Sequence, residues 1–160
     1  MQDRRRITVV GRRDLMLTAG AAAVLMSALR SGARAQDKPL GVGLEEAMKK
    51  VLGDAKPTEG KIQIEIPEIA ENGNTVPFSV SVDSPMTETE HVKALHIFAG
   101  GNPIAGIGSF HFTPASGKAA VASRMRLARS QDVVALAEMS DGRFIVGRRT
   151  VKVTIGGCGG

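Results

Sequence analysis

Lys61-Ile62-Gln63-Ile64-Glu65-Ile66-Pro67 sets three isoleucines at alternate positions among polar residues and closes with a proline. A period of two puts all three isoleucines on one face of an extended chain. The stretch therefore reads as a half-buried β-strand, stopped where Pro67 has no N–H to give a ladder. Downstream the pattern recurs: Val76, Phe78, Val80 and Val82 alternate with Ser79 and Ser81, and Ser84-Pro85 ends the run. Glu71-Asn72-Gly73-Asn74, between the two strands, is a strong turn signal. Val92 to Ala99 is almost continuously apolar, as a central strand would be, and Gly100-Gly101-Asn102-Pro103 breaks it. Residues 110–112, 121–127, 133–139 and 144–155 complete the series, with Asp141-Gly142 as a hairpin turn between the last two. Seven or so short strands at about 8–12-residue spacing predict an antiparallel, immunoglobulin-like β-sandwich.

Upstream the period changes. Leu44, Ala47, Met48, Val51 and Leu52 fall at i, i+3, i+4, i+7 and i+8, one apolar face of a short helix. Glu45 and Glu46 lie early and Lys49 and Lys50 late, as the helix dipole prefers, and Gly53 ends the segment. Residues 54–60 read as loop and 36–43 as a polar linker. The folded domain is thus expected over 44–155.

The 160-residue chain is 42% hydrophobic, enough for a packed core, but only 3% aromatic with no Trp or Tyr. That composition disfavours stacking on bases or sugars. The formal charge of +5 is no argument for nucleic acid, because residues 1–35 supply all of it with seven arginines against two aspartates. The remaining 125 residues carry 14 basic and 14 acidic side chains. Residues 1–35 have the layout of an export signal: Arg4 to Arg13, then uncharged Leu15 to Leu29, then Ala33-Arg34-Ala35, with cleavage expected before Gln36. Arg12-Arg13-Asp14-Leu15-Met16 resembles a twin-arginine motif, and either export route leads to the periplasm with no membrane anchor after cleavage.

One cysteine occurs in the chain, Cys158, in the terminal run Gly156-Gly157-Cys158-Gly159-Gly160. No disulfide can staple the sheets. A lone cysteine in an oxidising compartment points to intermolecular pairing or a reactive thiol. Glycines offer it no apolar burial, so the run is expected to be a flexible arm over 156–160, packing against nothing and holding the thiol roughly 10 Å or more clear of the domain. No basic side chain adjoins Cys158 to activate it, which suits a passive covalent carrier better than a self-contained thiol enzyme. A thiol redox protein and a structural sandwich module are the alternatives. Neither a cofactor nor a metal is called for. His91 with Glu88 and Glu90 could form a metal cluster, but a solvated acidic turn is the default. His96 is expected in the core or an interface and His111 at the surface. Arg124, Arg126, Arg129, Arg148 and Arg149 read as a solvated strand face, with an acidic-partner docking patch as the rival.

Together these residues resemble SoxY, the sulfur carrier of the periplasmic Sox thiosulfate-oxidising system. The resemblance runs from about Leu44 to Gly160 and is carried by residues 69–77, Asn102-Pro103, residues 130–133, residues 139–142 and, most specifically, 151–160 with the terminal GGCGG. It implies that Cys158 bonds thiosulfate through an S-thiosulfonate link. It also implies a tightly bound, smaller SoxZ-like sandwich subunit and transient visits to SoxAX, SoxB and SoxCD-type enzymes.

Overall fold

Two sheets close on one apolar core, and a short α-helix over residues 44–52 seals a second, smaller core on the outside. The computed structural model describes residues 43–157. The expected export signal, most of the expected linker and Cys158 to Gly160 lie outside the described residues. In chain order the elements are α1 (Leu44–Leu52), β1 (Thr58–Glu59), β2 (Ile62–Glu65), β3 (Ile69–Asn72), β4 (Val76–Val82), β5 (Val92–Ala99), β6 (Gly106–His111), β7 (Ala119–Met125), β8 (Gln131–Met139) and β9 (Phe144–Ile155). The larger sheet runs β1-β9-β8-β5-β6, with β3 also paired to β9, and the smaller runs β2-β4-β7.

The two sheets differ in sequence because they differ in burial. The smaller sheet has one solvated face. Ile64, Phe78, Val80 and Val82 point into the core, while Gln63, Glu65, Ala120 and Ala122 are exposed, so its strands alternate. In the larger sheet β5 and β8 are covered on both sides. Leu95, Ile97, Val133, Ala135 and Ala137 face the inter-sheet core. Phe98, Val134, Leu136 and Val146 face outward and meet Met48, Leu44, Ala47, Val51 and Leu52 of α1. This double cover is why residues 92–99 lack alternation.

The sandwich and the helix follow the expectation, α1 to the residue. Two strands do not. Thr58–Glu59, read as loop, and Ile69–Asn72, half of it read as turn, are both short strands lying parallel to β9: Thr58 pairs with Ile145, and Ile69 with Lys152. The larger sheet is therefore mixed rather than wholly antiparallel. Two residues in β1, and a β3 whose second half carries a turn signal, show no alternation that would announce a strand. They exist because β9, at 12 residues, offers a long second edge that needs partners.

Leu136 is fully buried between β8 and the helix. Leu136→Ala should lower unfolding stability by about 2–5 kcal/mol in urea titration, since it removes packing from a site with no solvent access. A loss below about 1 kcal/mol would mean that α1 is not seated on the sheet.

Candidate functional site

β9 ends at Ile155, and the chain does not run free from there. Three segments distant in sequence meet at this end of the sandwich: the turn after β3, the segment after β7, and the start of the glycine run. Gly73 N–H donates to Ile155 O at 2.7 Å, Leu127 N–H donates to Gly73 O at 2.8 Å, and Gly157 N–H donates to Leu127 O at 2.8 Å. These bonds form a backbone clasp in which the chain's last strand, β3's turn and β7's end each hold the next. Gly73, Leu127 and Gly157 are all buried.

The clasp explains its glycines. A methyl at Gly73 would lie 2.2 Å from Leu127 O and 2.6 Å from Gly157 N. At Gly157 it would lie 2.5 Å from Gly73 O, and at Gly156 2.2 Å from Ala128 O. Each is a collision with backbone, which cannot swing aside as a side-chain tip would. Gly156 and Gly157 are thus glycines because other main chain passes where a Cβ would stand. The expectation of a slack arm packing against nothing is corrected at these two residues, and so is the reach of about 10 Å, which counted them as free length. Cys158, Gly159 and Gly160 lie outside the described residues.

A layer of polar side chains fixes the segment to which the clasp is tied. Asn102 Nδ2 donates to Arg126 O at 2.8 Å, while its Oδ1 accepts from Ala128 N–H at 2.9 Å and from Gln131 Nε2 at 2.9 Å. Gln131, itself buried, accepts from Gly101 N–H through Oε1 and donates also to Arg129 O. Ser130 Oγ accepts from Val153 N–H at 2.9 Å. Residues 126–131 are therefore held by the 101–102 loop on one side and by β9 on the other. Sequence reading missed Gly73, Leu127 and Asn102 as parts of this site. Gly73 shows only a turn signal and Leu127 only a strand end, and no periodicity links residues so far apart in the chain.

The other sequence candidates are scattered. His91 Nδ1 pairs with Thr87 O at 3.0 Å, Glu90 N–H donates to Thr87 Oγ1 and Thr87 N–H donates to Glu90 O at 2.8 Å, so this is a turn closed by its own local hydrogen bonds. Among the described residues no group of three or more His, Cys, Asp or Glu side chains could hold a metal. Among the same residues no helix is long and apolar enough to cross a membrane. Arg148 and Arg149 are consecutive on β9, so they point to opposite faces, and Arg124 sits across from Pro77 on the smaller sheet. The five arginines do not make one patch. Arg124 instead helps line a shallow hollow of about 700 Å³ with Ile66, Pro67 and Pro77.

His96 is buried on the outer face of β5, its Nδ1 2.7 Å from Ser109 Oγ and its ring edge-on to His111, centroids 6.5 Å apart. Its Nε2 is buried and has no hydrogen-bond partner. Burial holds the imidazole pKa below its usual 6.5, against the pull of Glu138 and with a small push from His111.

Compared with known proteins, the model of the family described as "Sulfur oxidation protein SoxY" matches residues 48–158, most of the chain and the whole route into the clasp. The chain belongs to the SoxY family. Among solved structures it is similar to the sulfur carrier protein SoxY from Chlorobium limicola f thiosulfatophilum, at 34% identity over 70% of this chain and 96% of that one, TM-score 0.60. It shares its fold alone with two superoxide reductases. One is the neelaredoxin of Ignicoccus hospitalis (19% identity, 71% of this chain and 95% of that one, TM-score 0.53), the other the enzyme of Nanoarchaeum equitans (11%, 61% and 99%, TM-score 0.51). No curated protein matches. Several segments that carried the resemblance to the SoxY family, Asn72-Gly73-Asn74, Asn102 and Ser130-Gln131, fall in the clasp and its support.

Two outcomes follow. Asn102→Ala strands Ala128 N–H and Arg126 O together, and should cost about 1–3 kcal/mol in chemical denaturation; a neutral result would remove the support role. For His96 the unfolded chain takes up the proton first as pH falls, because the folded-state pKa is the lower. Stability should therefore decline from about pH 6.5 downward and level off below the folded value. A melting series across pH 7 to 5 should show a shallower slope in His96→Gln than in the parent protein.

Proposed function

We propose that the protein is a periplasmic carrier that holds thiosulfate-derived sulfur covalently on Cys158 and offers it to partner enzymes, with no catalysis of its own. The observation that carries this reading is where the family match ends. It runs to residue 158, the single cysteine of the chain, and that residue directly follows the anchored Gly157. Glycine on either side adds no side-chain bulk next to that thiol, which suits presentation to other proteins' active sites.

The chemistry sets what the partners must do. Joining a cysteine thiolate to the sulfane sulfur of thiosulfate makes an S–S bond and removes two electrons, so an acceptor is required, a role suited to a haem protein of SoxAX type. Water attack on the terminal sulfonate sulfur of that adduct would release sulfate and two protons and leave a persulfide on Cys158, the reaction a SoxB-type hydrolase would catalyse. A SoxCD-type dehydrogenase would oxidise the remaining sulfane. Residues 1–35 supply the export signal, of twin-arginine type, and a SoxZ-like subunit without its own signal would travel with the folded chain. In this reading the glycine run 156–160 carries the cysteine, with Gly156 and Gly157 held by the clasp and Gly159 and Gly160 beyond Cys158.

Intact mass spectrometry of the protein from thiosulfate-grown cells should show thiosulfonate, sulfane or sulfonate adducts on Cys158 that reductant removes. Cys158→Ser should abolish sulfur oxidation in a reconstituted system while shifting stability by less than about 0.5 kcal/mol. A fully unmodified thiol in actively oxidising cells would overturn the carrier reading.

A further inference from the structure

We infer that β6 is held by an acid-released latch: His96 of β5 secures it through Ser109, and on acidification β6 lifts off β5 while the rest of the sandwich stays closed. The inference does not depend on the carrier reading. β6 stands at the end of the larger sheet and pairs with β5 alone. It is also loosely built. Two of its six residues are Gly106 and Gly108, and packing demands neither. A methyl would meet nothing within 4 Å at Gly106, and only the Phe110 ring, at 3.7 Å, at Gly108. Such glycines add backbone freedom and leave a strand with less to pack. The ladder to β5 is interrupted between Ile97 and Phe98. On the inner face, Ile107 and Phe110 reach the core only as partly buried side chains.

The outer face supplies the latch. Register places Leu136, His96 and Ser109 in one row across β8, β5 and β6, and Glu138, Ala94 and His111 in the next. His96 is 8% exposed, its Nδ1 lies 2.7 Å from Ser109 Oγ, and its Nε2 is buried without a partner. Ser109 and His111 are exposed, so only β6 stands between the His96 ring and solvent on that side. A neutral imidazole fits this site with Nδ1–H donating to Ser109 and Nε2 left as a bare acceptor. An imidazolium fits badly, because Nε2 then carries a buried N–H with no acceptor. Neighbouring charges do not offset this. His111 on β6 repels a charge on His96, and Glu138 on β8 attracts one but is already bonded to Lys93 of β5 at 2.5 Å. From α1, Glu45, Glu46, Lys49 and Lys50 are exposed, and the helix turns apolar side chains to the sheet; β9 adds Phe144 and Val146. Lifting β6 wets Nε2 and separates the two imidazoles, so a charged His96 favours the open strand. Burial keeps the closed-state pKa below 6.5. As pH falls below about 6.5 the open form therefore takes up the proton first. Its population grows by up to about tenfold per pH unit until the closed-state pKa is reached.

Amide hydrogen exchange on the intact protein tests this, read as protection factors so that the intrinsic pH dependence of exchange divides out. Protection in β6 should lie below that in β8 and β9, and should fall by about three- to tenfold between pH 7 and pH 5.5. Low concentrations of guanidinium should leave the β6 values nearly unchanged, since lifting one strand exposes little surface, while β8 and β9 lose protection steeply. His96→Gln keeps a hydrogen-bonding side chain that cannot ionise, and its β6 protection should no longer depend on pH over this range. Equal protection in β6 and β9 at pH 5.5, with one shared denaturant dependence, would mean that the sandwich opens only as a whole, and would overturn the inference. So would a β6 protection that ignores pH in the parent protein, or a pH dependence that survives in folded His96→Gln. Should that variant fail to fold, the ring 15N shifts of His96 in the parent protein decide: protonation of the ring must track the loss of β6 protection, and a ring that titrates with β6 unchanged defeats the latch.

Discussion

The two-sided bonding of β9 is the constraint on which the C-terminal half of the molecule depends. One edge of this strand pairs antiparallel with β8 from Phe144 to Val151, and the other takes β1 and then β3 in parallel. β1 holds the second edge at Ile145 and Val146 and β3 holds it from Lys152 to Ile155, so the end of the strand is placed by β3. Gly73 continues the β3 side of that ladder by one bond beyond Ile155. The residues that follow are accordingly delivered to one place, where the segment after β7 lies ready to receive them.

Much of this was legible in the sequence, for reasons that differ by element. The isoleucine alternation of residues 62–66 and the valine and phenylalanine alternation of 76–82 announce a sheet with one wet face. The unbroken apolar run 92–99 announces a strand buried on both. The spacing of Leu44, Ala47, Met48, Val51 and Leu52 marks the face that lies on Phe98 and Leu136. The parallel strands β1 and β3 escaped because pairing along β9 is a tertiary event that a few residues of local pattern cannot encode. The meaning of the glycines escaped for the same reason. A glycine tolerated for looseness and a glycine demanded by a neighbouring carbonyl look alike until that neighbour is placed, and here the neighbours are Leu127, Ala128 and Gly73.

The polar residues show a similar division. Asn102 and Ser130 stand in loops and Gln131 opens β8, with no side-chain partner visible from the sequence, yet each hydrogen-bonds across the same end of the sandwich. Their work is to hold the residue 126–131 segment against desertion to solvent, since its backbone groups would otherwise be buried without partners. His96 is the opposite case. Its burial was readable from its apolar neighbours, whereas its bonding to Ser109 and its bare Nε2 depend on the register of β5 against β6.

The position of β9 in the chain has a consequence for biosynthesis. It follows β1, β3 and β8 in the chain, yet all three pair with it. While the final residues are still inside the ribosome, β1 and β3 have nothing to pair with, β8 has one open edge, and the segment after β7 lacks the bond from Gly157. The larger sheet can therefore close only after residues 144–157 have emerged, and the same late step that completes that sheet sets Gly157 in place.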